Sequence, residues 1–125
     1  MNRLAKPGNV PEFSVGSDWR IDIGSLIRLT RDEFKRFIKP TTAGWIGYNR
    51  IRRNATVAAG NERNPDRVDD LIRLLEDGDA IVRGHAAWAL GQIGGLTARF
   101  ALEKALPMES DSLVRQEIIL ALDGS

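Results

Sequence analysis

A chain of 125 residues with 42% hydrophobic and 28% charged residues has the length and composition of one globular domain. It contains no cysteine, which excludes a disulfide framework, a thiolate metal site and a cysteine nucleophile, and favours a reducing, cytoplasmic environment. Residues 1–60 hold 11 basic and 5 acidic residues, whereas residues 61–125 hold 7 and 12. The basic half predicts an anionic partner such as nucleic acid; the alternative is an unevenly charged solvated surface.

The first 19 residues are predicted to be an extended lead-in, followed by a single helical domain over residues 20–125. The residues that prevent regular structure in the lead-in are Pro7, Gly8, Pro11, Gly16 and Ser17. The N-terminus lacks the apolar region of a signal peptide, and no apolar run is long enough to span a bilayer. We therefore expect no membrane partner.

Two short helices are predicted at the start of the domain. The first covers residues 21–29, and the second begins at a capping box in which Thr30 caps the helix and Glu33 reaches back to its backbone. Pro40 ends the second helix, and residues 41–47 form a turn.

The remaining chain is repetitive. The segment IRRNATVAAG (51–60) matches VRGHAAWALG (82–91) at an offset of 31, and a third copy follows at an offset of 32 around Val114 and Ala121. Amphipathic first helices are predicted between the copies, over residues 66–76 and 97–106, and no segment alternates like a strand. Repeats of this length predict a solenoid of helical hairpins, because one hairpin cannot bury its own apolar face.

Within the helix over residues 81–93, one face is predicted to be buried and a neighbouring stripe to be accessible. The buried face consists of Val82, Ala86, Ala89, Leu90 and Ile93. The accessible stripe contains Ile81, His85, Trp88 and Gln92. In the other copies the equivalent stripes contain Arg50, Asn54, Val57 and Asn61, with Arg53 one step away, and Leu113, Glu117 and Leu120. Arginine offers planar donors for phosphate, and tryptophan or histidine offers a stacking face.

Several of these residues also have structural interpretations. Arg83 and Arg115 follow Asp79 and Asp111 by four residues, which predicts i,i+4 ion pairs, and the two aspartates are predicted helix N-caps. Trp88 could pack in the core instead of offering a stacking face.

Metal binding and catalysis find little support in the sequence. His85 is the single histidine and there is no cysteine, so the sequence predicts no metal site. Gly91, Gly94 and Gly95 are interpreted as a helix-ending loop rather than a phosphate loop. No nucleophile, base and acid stand in a recognisable catalytic pattern.

The pattern D-x-x-V-R-x-x-A-x-x-A-L-G-x-I-G over residues 79–94 resembles the HEAT-like repeat of the phycobilisome-lyase type. This resemblance implies an all-α solenoid of about three helical hairpins with an N-terminal helical cap. HEAT-like solenoids commonly bind other proteins, so a protein-binding scaffold is the alternative function.

A closer resemblance, covering nearly the whole chain, is to the C-terminal region of bacterial epoxyqueuosine reductases. It is carried by the segments NRLAKP (2–7), LTRDEF (29–34), IRRNA (51–55), AGN (59–61) and VRGHAAWALG (82–91). The resemblance implies a tail that helps to hold tRNA while other domains, with cobalamin and two [4Fe–4S] clusters, reduce epoxyqueuosine to queuosine. On this basis the expected tRNA-binding residues are Arg50, Arg52, Arg53, Asn54, His85 and Trp88.

The chain departs from that family in lacking the cysteines that bind the clusters. The cobalamin domain and its catalytic acid also have no counterpart here. We therefore expect neither cofactor in this chain and no catalysis by it alone. The expected partners are tRNA and the catalytic domain of such a reductase.

Overall fold

The structure, a computed structural model, describes residues 22–124, and the predicted lead-in over residues 1–19 lies outside them. Every regular element in the described part is helical. Its seven α-helices are α1 (Ile23–Ile27), α2 (Arg31–Glu33), α3 (Tyr48–Glu62), α4 (Val68–Leu74), α5 (Ala80–Ile93), α6 (Leu96–Ala105) and α7 (Ser112–Gly124). A π-helical turn over Phe34–Ile38 follows α2, and 3-10 turns cover Thr42–Ile46, Pro65–Arg67 and Leu106–Met108. The predicted all-α solenoid of HEAT-like hairpins is confirmed.

The helix starts follow the capping signals in the sequence. The Thr30 hydroxyl accepts the Glu33 backbone N–H, and the Glu33 carboxylate accepts the Thr30 N–H, each at 3.1 Å. Asp79 accepts the N–H of Ile81 at 2.8 Å and so caps α5. At the other end of α5, Gly94 adopts a positive φ of 75° and ends the helix. The predicted capping box, N-cap and helix end are thus confirmed.

The core lies between the first helices α4 and α6 and the second helices α3, α5 and α7 of the hairpins. Its fully buried members include Leu71, Leu90, Leu102 and Ile118. The predicted apolar face of α5 is buried as expected, with Ile93 half-buried at its edge. Within residues 22–124, no helix combines the length and apolar character needed to cross a membrane.

Two glycines at equivalent repeat positions allow the second helices to approach closely. Gly91 lies inside α5, so its interpretation as part of a helix-ending loop is wrong. A Cβ atom there would lie 2.7 Å from the Ala121 Cβ and 3.0 Å from the Ala121 Cα of α7. Gly60 of α3 has the same role, because a Cβ there would overlap the ring of Trp88. The helices pack at a distance that only a residue without a Cβ permits.

Successive hairpins are also joined by two inter-repeat ion pairs of the same design. Arg52 of α3 donates to both carboxylate oxygens of Asp77, at 2.6 and 3.1 Å, in the turn after α4. One repeat further on, Arg83 of α5 donates to both oxygens of Glu109 at 2.9 Å. Each acid also accepts the backbone N–H of the following N-cap aspartate. The pairs therefore fix both the spacing of the hairpins and the start of the next helix.

Burial and pairing shift the pKa values of these groups in consistent directions. The hydrogen bond from Arg83 is the main cause that lowers the pKa of Glu109 below its usual value. Burial is the largest single influence and opposes ionisation of Asp77, but the hydrogen bonds from Arg52 and the Asp79 N–H, together with the charges of Arg52 and Arg83, outweigh it and lower the pKa of Asp77. Both carboxylates are thus held in the charged form.

The predicted i,i+4 ion pairs of Arg83 with Asp79 and of Arg115 with Asp111 are wrong. Arg83 binds Glu109 instead, and Arg115 donates to the backbone carbonyls of Leu106 and Glu109 at 2.7 and 3.1 Å. The reason is that the two aspartate carboxylates face the backbone N–H groups of their own helix starts. The structural role expected of all four residues holds, with different partners.

Candidate nucleic-acid interface

The accessible stripes of the three second helices lie side by side, forming what we call the groove stripe. Equivalent positions on α3, α5 and α7 give three rows: Arg50, Ile81 and Leu113; Asn54, His85 and Glu117; Val57, Trp88 and Leu120. A groove of about 580 Å³ is lined by members of all three helices, including Val57, Trp88 and Glu117. The stripe therefore changes from cationic on α3 to aromatic on α5 and to apolar and acidic on α7.

The cationic end of the groove stripe is open to solvent. Arg50 and Asn54 are exposed and Arg53 is half-buried. Neither Arg50 nor Arg53 forms an ion pair with any residue of the described part. Both guanidinium groups are therefore available to an external anion.

The N-terminus of α3 adds to this cationic end. Its N-cap residue is Gly47, with a φ of 97° and no side-chain cap, so the first backbone N–H groups of α3 have no side-chain acceptor there. Arg31 lies over the Tyr48 ring, 4.7 Å from its centroid, and is exposed. Unpaired N–H groups and the helix macrodipole favour an anion at this position.

Arg31 is a candidate for anion binding that the sequence did not indicate. It stands in the capping box, and its position beside α3 depends on a contact with a ring 17 residues away. Of the two basic residues that follow it, Arg36 is less available to an anion than Lys35. Arg36 lies 3.8 Å from Asp32 and packs over Phe37, although Lys35 is exposed.

Arg52 does not belong to the exposed surface. Its side chain is 7% exposed, its guanidinium is held by Asp77 and Asn49, and it stacks 4.4 Å from the centroid of the Tyr48 ring. Burial is the largest single influence and opposes its charge, but the hydrogen bond to Asp77 and the nearby negative charge together outweigh burial and raise the pKa of Arg52. The structure gives Arg52 a structural role, because phosphate contact would require breaking the ion pair.

Trp88 and His85 lie in the middle of the groove, both half-buried. Trp88 both packs inside the fold and lines the groove, because part of its ring covers Gly60 and the residue also borders the groove. The His85 Nδ1 lies 2.8 Å from the Ile81 carbonyl oxygen. Because a carbonyl only accepts, Nδ1 carries the proton in this hydrogen bond, and Nε2 has no hydrogen-bond partner among the described residues.

Two acidic residues also line the groove, but they do not form a catalytic pair. The Asp111 carboxylate accepts the N–H groups of Leu113 and Val114 at 2.9 and 3.1 Å, so it serves as a helix cap. Glu117 is the other acidic residue. Within residues 22–124, no three histidine or acidic side chains gather into a group that could bind a metal. The geometry fits binding of anions and flat rings.

Comparison with known proteins gives a family for most of this fold. The HEAT-repeat family matches residues 48–123. An uncharacterised protein encoded in the gldA 3′ region of Geobacillus stearothermophilus is 38% identical over 99 residues, which are 78% of this chain and 46% of that protein.

Two further comparisons point to one enzyme family. The epoxyqueuosine reductase of Listeria monocytogenes is 35% identical over 100 residues, which are 79% of this chain and 26% of the reductase. A crystal structure of epoxyqueuosine reductase with an epoxyqueuosine-modified tRNA-Tyr stem loop superposes with a TM-score of 0.78 and 30% identity, over 85% of this chain and 28% of that one. The resemblance stated from the sequence is confirmed. The chain spans less than half of the Geobacillus relative and about a quarter of the reductases.

Proposed function

Because this chain belongs to the HEAT-repeat family, and its relatives include epoxyqueuosine reductases, we propose that it is the tRNA-binding, non-catalytic portion of such a reductase. The observation that carries the proposal is the pair of unpaired arginines, Arg50 and Arg53, beside the uncapped N-terminus of α3. A related reductase structure that contains a tRNA stem loop supports the same partner. Since tRNA modification takes place in the cytoplasm, a cytoplasmic location is part of the proposal.

In this proposal the cationic end of α3 contacts the phosphate backbone. Arg50 and Arg53 donate N–H groups to phosphate oxygens, and Arg31 and the first N–H groups of α3 add a second point of attachment. Contacts to phosphate fix orientation and carry no sequence information, so the isolated chain discriminates poorly between RNAs. Trp88 and His85, expected from the sequence to contact RNA, lie deeper in the groove beside the acidic Asp111 and Glu117, and the proposed phosphate contacts do not include them.

The chemistry of the reductase belongs to other portions of the enzyme. Binding of [4Fe–4S] clusters requires cysteine thiolates, and this chain has no cysteine. The residues of the groove therefore do not fit the clusters, and we derive no catalytic step for them. The contribution of this chain is to hold the substrate RNA.

A salt titration tests the proposal. Binding of the full chain to a fluorescently labelled tRNA anticodon stem loop is measured by anisotropy at several salt concentrations. We expect the double variant Arg50→Ala with Arg53→Ala to bind more weakly at low salt. The slope of log K against log salt should fall in magnitude by roughly 0.7 to 0.9 for each lost phosphate contact.

The matched control is Arg73→Ala with Lys104→Ala. It removes the same charge from exposed positions of α4 and α6. Equal loss of affinity in the two double variants would mean that net charge alone drives binding. No binding of the parent chain at low salt would refute the proposal outright.

A further inference from the structure

We propose that the α5–α7 end of the groove binds a peptide segment that presents a bulky apolar side chain next to a lysine or arginine. This site is separate from the RNA surface on α3, and it does not depend on the function proposed above. The cavity of about 580 Å³ has room for two adjacent side chains of such a segment.

The apolar part of the site consists of side chains that the core leaves uncovered. Ile81 is 53% exposed and Leu113 is 76% exposed, and they occupy equivalent positions on α5 and α7. With Trp88 and Val57 they line one groove rather than standing singly on the surface. A clustered apolar lining of this kind marks a binding surface, whereas isolated apolar residues are ordinary.

The charge of the site comes from Glu117. Its carboxylate is half-buried in the groove wall and has no hydrogen bond or ion pair with any residue of the described part. The arginines of the adjoining helices are already engaged, since Arg83 binds Glu109 and Arg115 binds two backbone carbonyls. A partly desolvated carboxylate beside an apolar surface is complementary to a cationic side chain.

The same charge argues against RNA at this end of the groove. Asp111 and Glu117 give the α7 wall two negative groups, and phosphates approaching it would be repelled. The aliphatic stem of a lysine or arginine, by contrast, packs on Leu113 and Trp88 while its charged end reaches Glu117. Charge and lining together favour a basic, apolar peptide over a nucleic acid.

Nuclear magnetic resonance on the 15N-labelled full chain provides the test. The probes are three acetylated, amidated hexapeptides, each an alternation of two residue types: leucine with lysine, leucine with glutamate, and serine with lysine. The signals followed are the Trp88 indole N–H, assigned with Trp88→Phe, and the Gly84 amide, because both residues line the groove. We expect saturable shifts of both signals with the leucine–lysine peptide, and much smaller shifts with the other two.

Two variants separate the site from general attraction to charge. Glu117→Gln should weaken the leucine–lysine peptide about threefold to fivefold, the range typical of one ion pair at a partly exposed position. Glu103→Gln removes an acid from the exposed face of α6 and should leave the affinity unchanged. Equal effects of the two variants, or equal binding of the leucine–glutamate peptide, would overturn the proposal.

A single-stranded RNA hexamer is the remaining probe. If it shifted the Trp88 and Gly84 signals and displaced the peptide, the groove would be a nucleic-acid site and the peptide proposal would be wrong. Shifts confined to α3 would leave the peptide site standing.

Discussion

The junctions between hairpins and the groove stripe use the same kinds of residue in opposite ways. At the junctions, Arg52 with Asp77 and Arg83 with Glu109 repeat one arrangement, and each charge is buried or half-buried and paired. On the groove stripe, equivalent positions change from Arg50 to Ile81 to Leu113, and these three side chains are exposed to solvent. Positions that stay the same from repeat to repeat hold the solenoid together. Positions that change are free to bind partners.

The largest loss of stability is expected from a charge placed in the core, on which both the junctions and the groove stripe depend. Leu90→Asp should unfold the chain, because Leu90 is fully buried and the cost of burying an unpaired carboxylate exceeds the stability of about 5–15 kcal/mol of a domain of this kind. Far-ultraviolet circular dichroism should show loss of helix. Leu96→Asp is the control, because Leu96 is 86% exposed, and a folded Leu90→Asp chain would contradict the packing described here.

Removing one inter-repeat ion pair should lower the free energy of unfolding less than a charge in the core does, but more than a change on the groove stripe. Arg52→Ala leaves the Asp77 carboxylate, only 19% exposed, without its partner, and should lower the free energy of unfolding by about 3 kcal/mol. Arg53→Ala, one residue away, should change it by less than about 0.5 kcal/mol. Urea denaturation of both variants measures the difference. Equal losses would show that the two regions are not distinct in stability.

The smallest effect we expect is a pH dependence confined to the junctions. Because the pKa of Glu109 is lowered in the folded chain, its stabilisation is complete above the unfolded value of about 4.3 and is lost as the pH falls through the folded value. Glu109→Gln should therefore cost about 2 kcal/mol at pH 7. The difference in unfolding free energy between the variant and the parent should narrow as the pH falls from the unfolded value of about 4.3 through the lowered folded value.

Unfolding by urea at pH 7, 4 and 3 measures that gap. Glu117→Gln is the matched control on the groove stripe, because the Glu117 carboxylate has no ion-pair partner in the described part. The difference in unfolding free energy between this variant and the parent should be the same at all three pH values. A gap for Glu109→Gln that stayed constant with pH would mean that the ion pair contributes nothing.

Much of the fold was predictable because its signals are local. Helical spacing, the Thr30 capping box and the Asp79 cap each act within four residues, and the offsets of 31 and 32 extend those signals to the whole array. The π-helical turn at Phe34–Ile38 was not predicted, since an ordinary helix has the same apolar spacing.

The contacts that define the candidate site were harder to predict because they join distant parts of the chain. Arg52 and Asp77 are 25 residues apart, and Arg31 and Tyr48 are 17 apart. The i,i+4 interpretation of Arg83 failed for the same reason, because the nearest acid in sequence was already a helix cap and the next turn offered a better acceptor. Sequence reasoning identified the groove stripe but not the contact of Arg31 with Tyr48 beside it.

Because of the inter-repeat ion pairs, a whole hairpin is the unit that can be duplicated or lost in evolution without leaving unpaired charges. Each interior unit brings an acid for the arginine before it and an arginine for the acid after it. Duplication or loss of one whole unit would therefore leave every interior charge matched. Insertion or deletion of a few residues between Arg52 and Asp77 would instead separate the two side chains and leave a buried charge without its partner. Arg115 donates to two backbone carbonyls at the position where Arg52 and Arg83 bind an acid, so an acid of an added unit would have an arginine to bind.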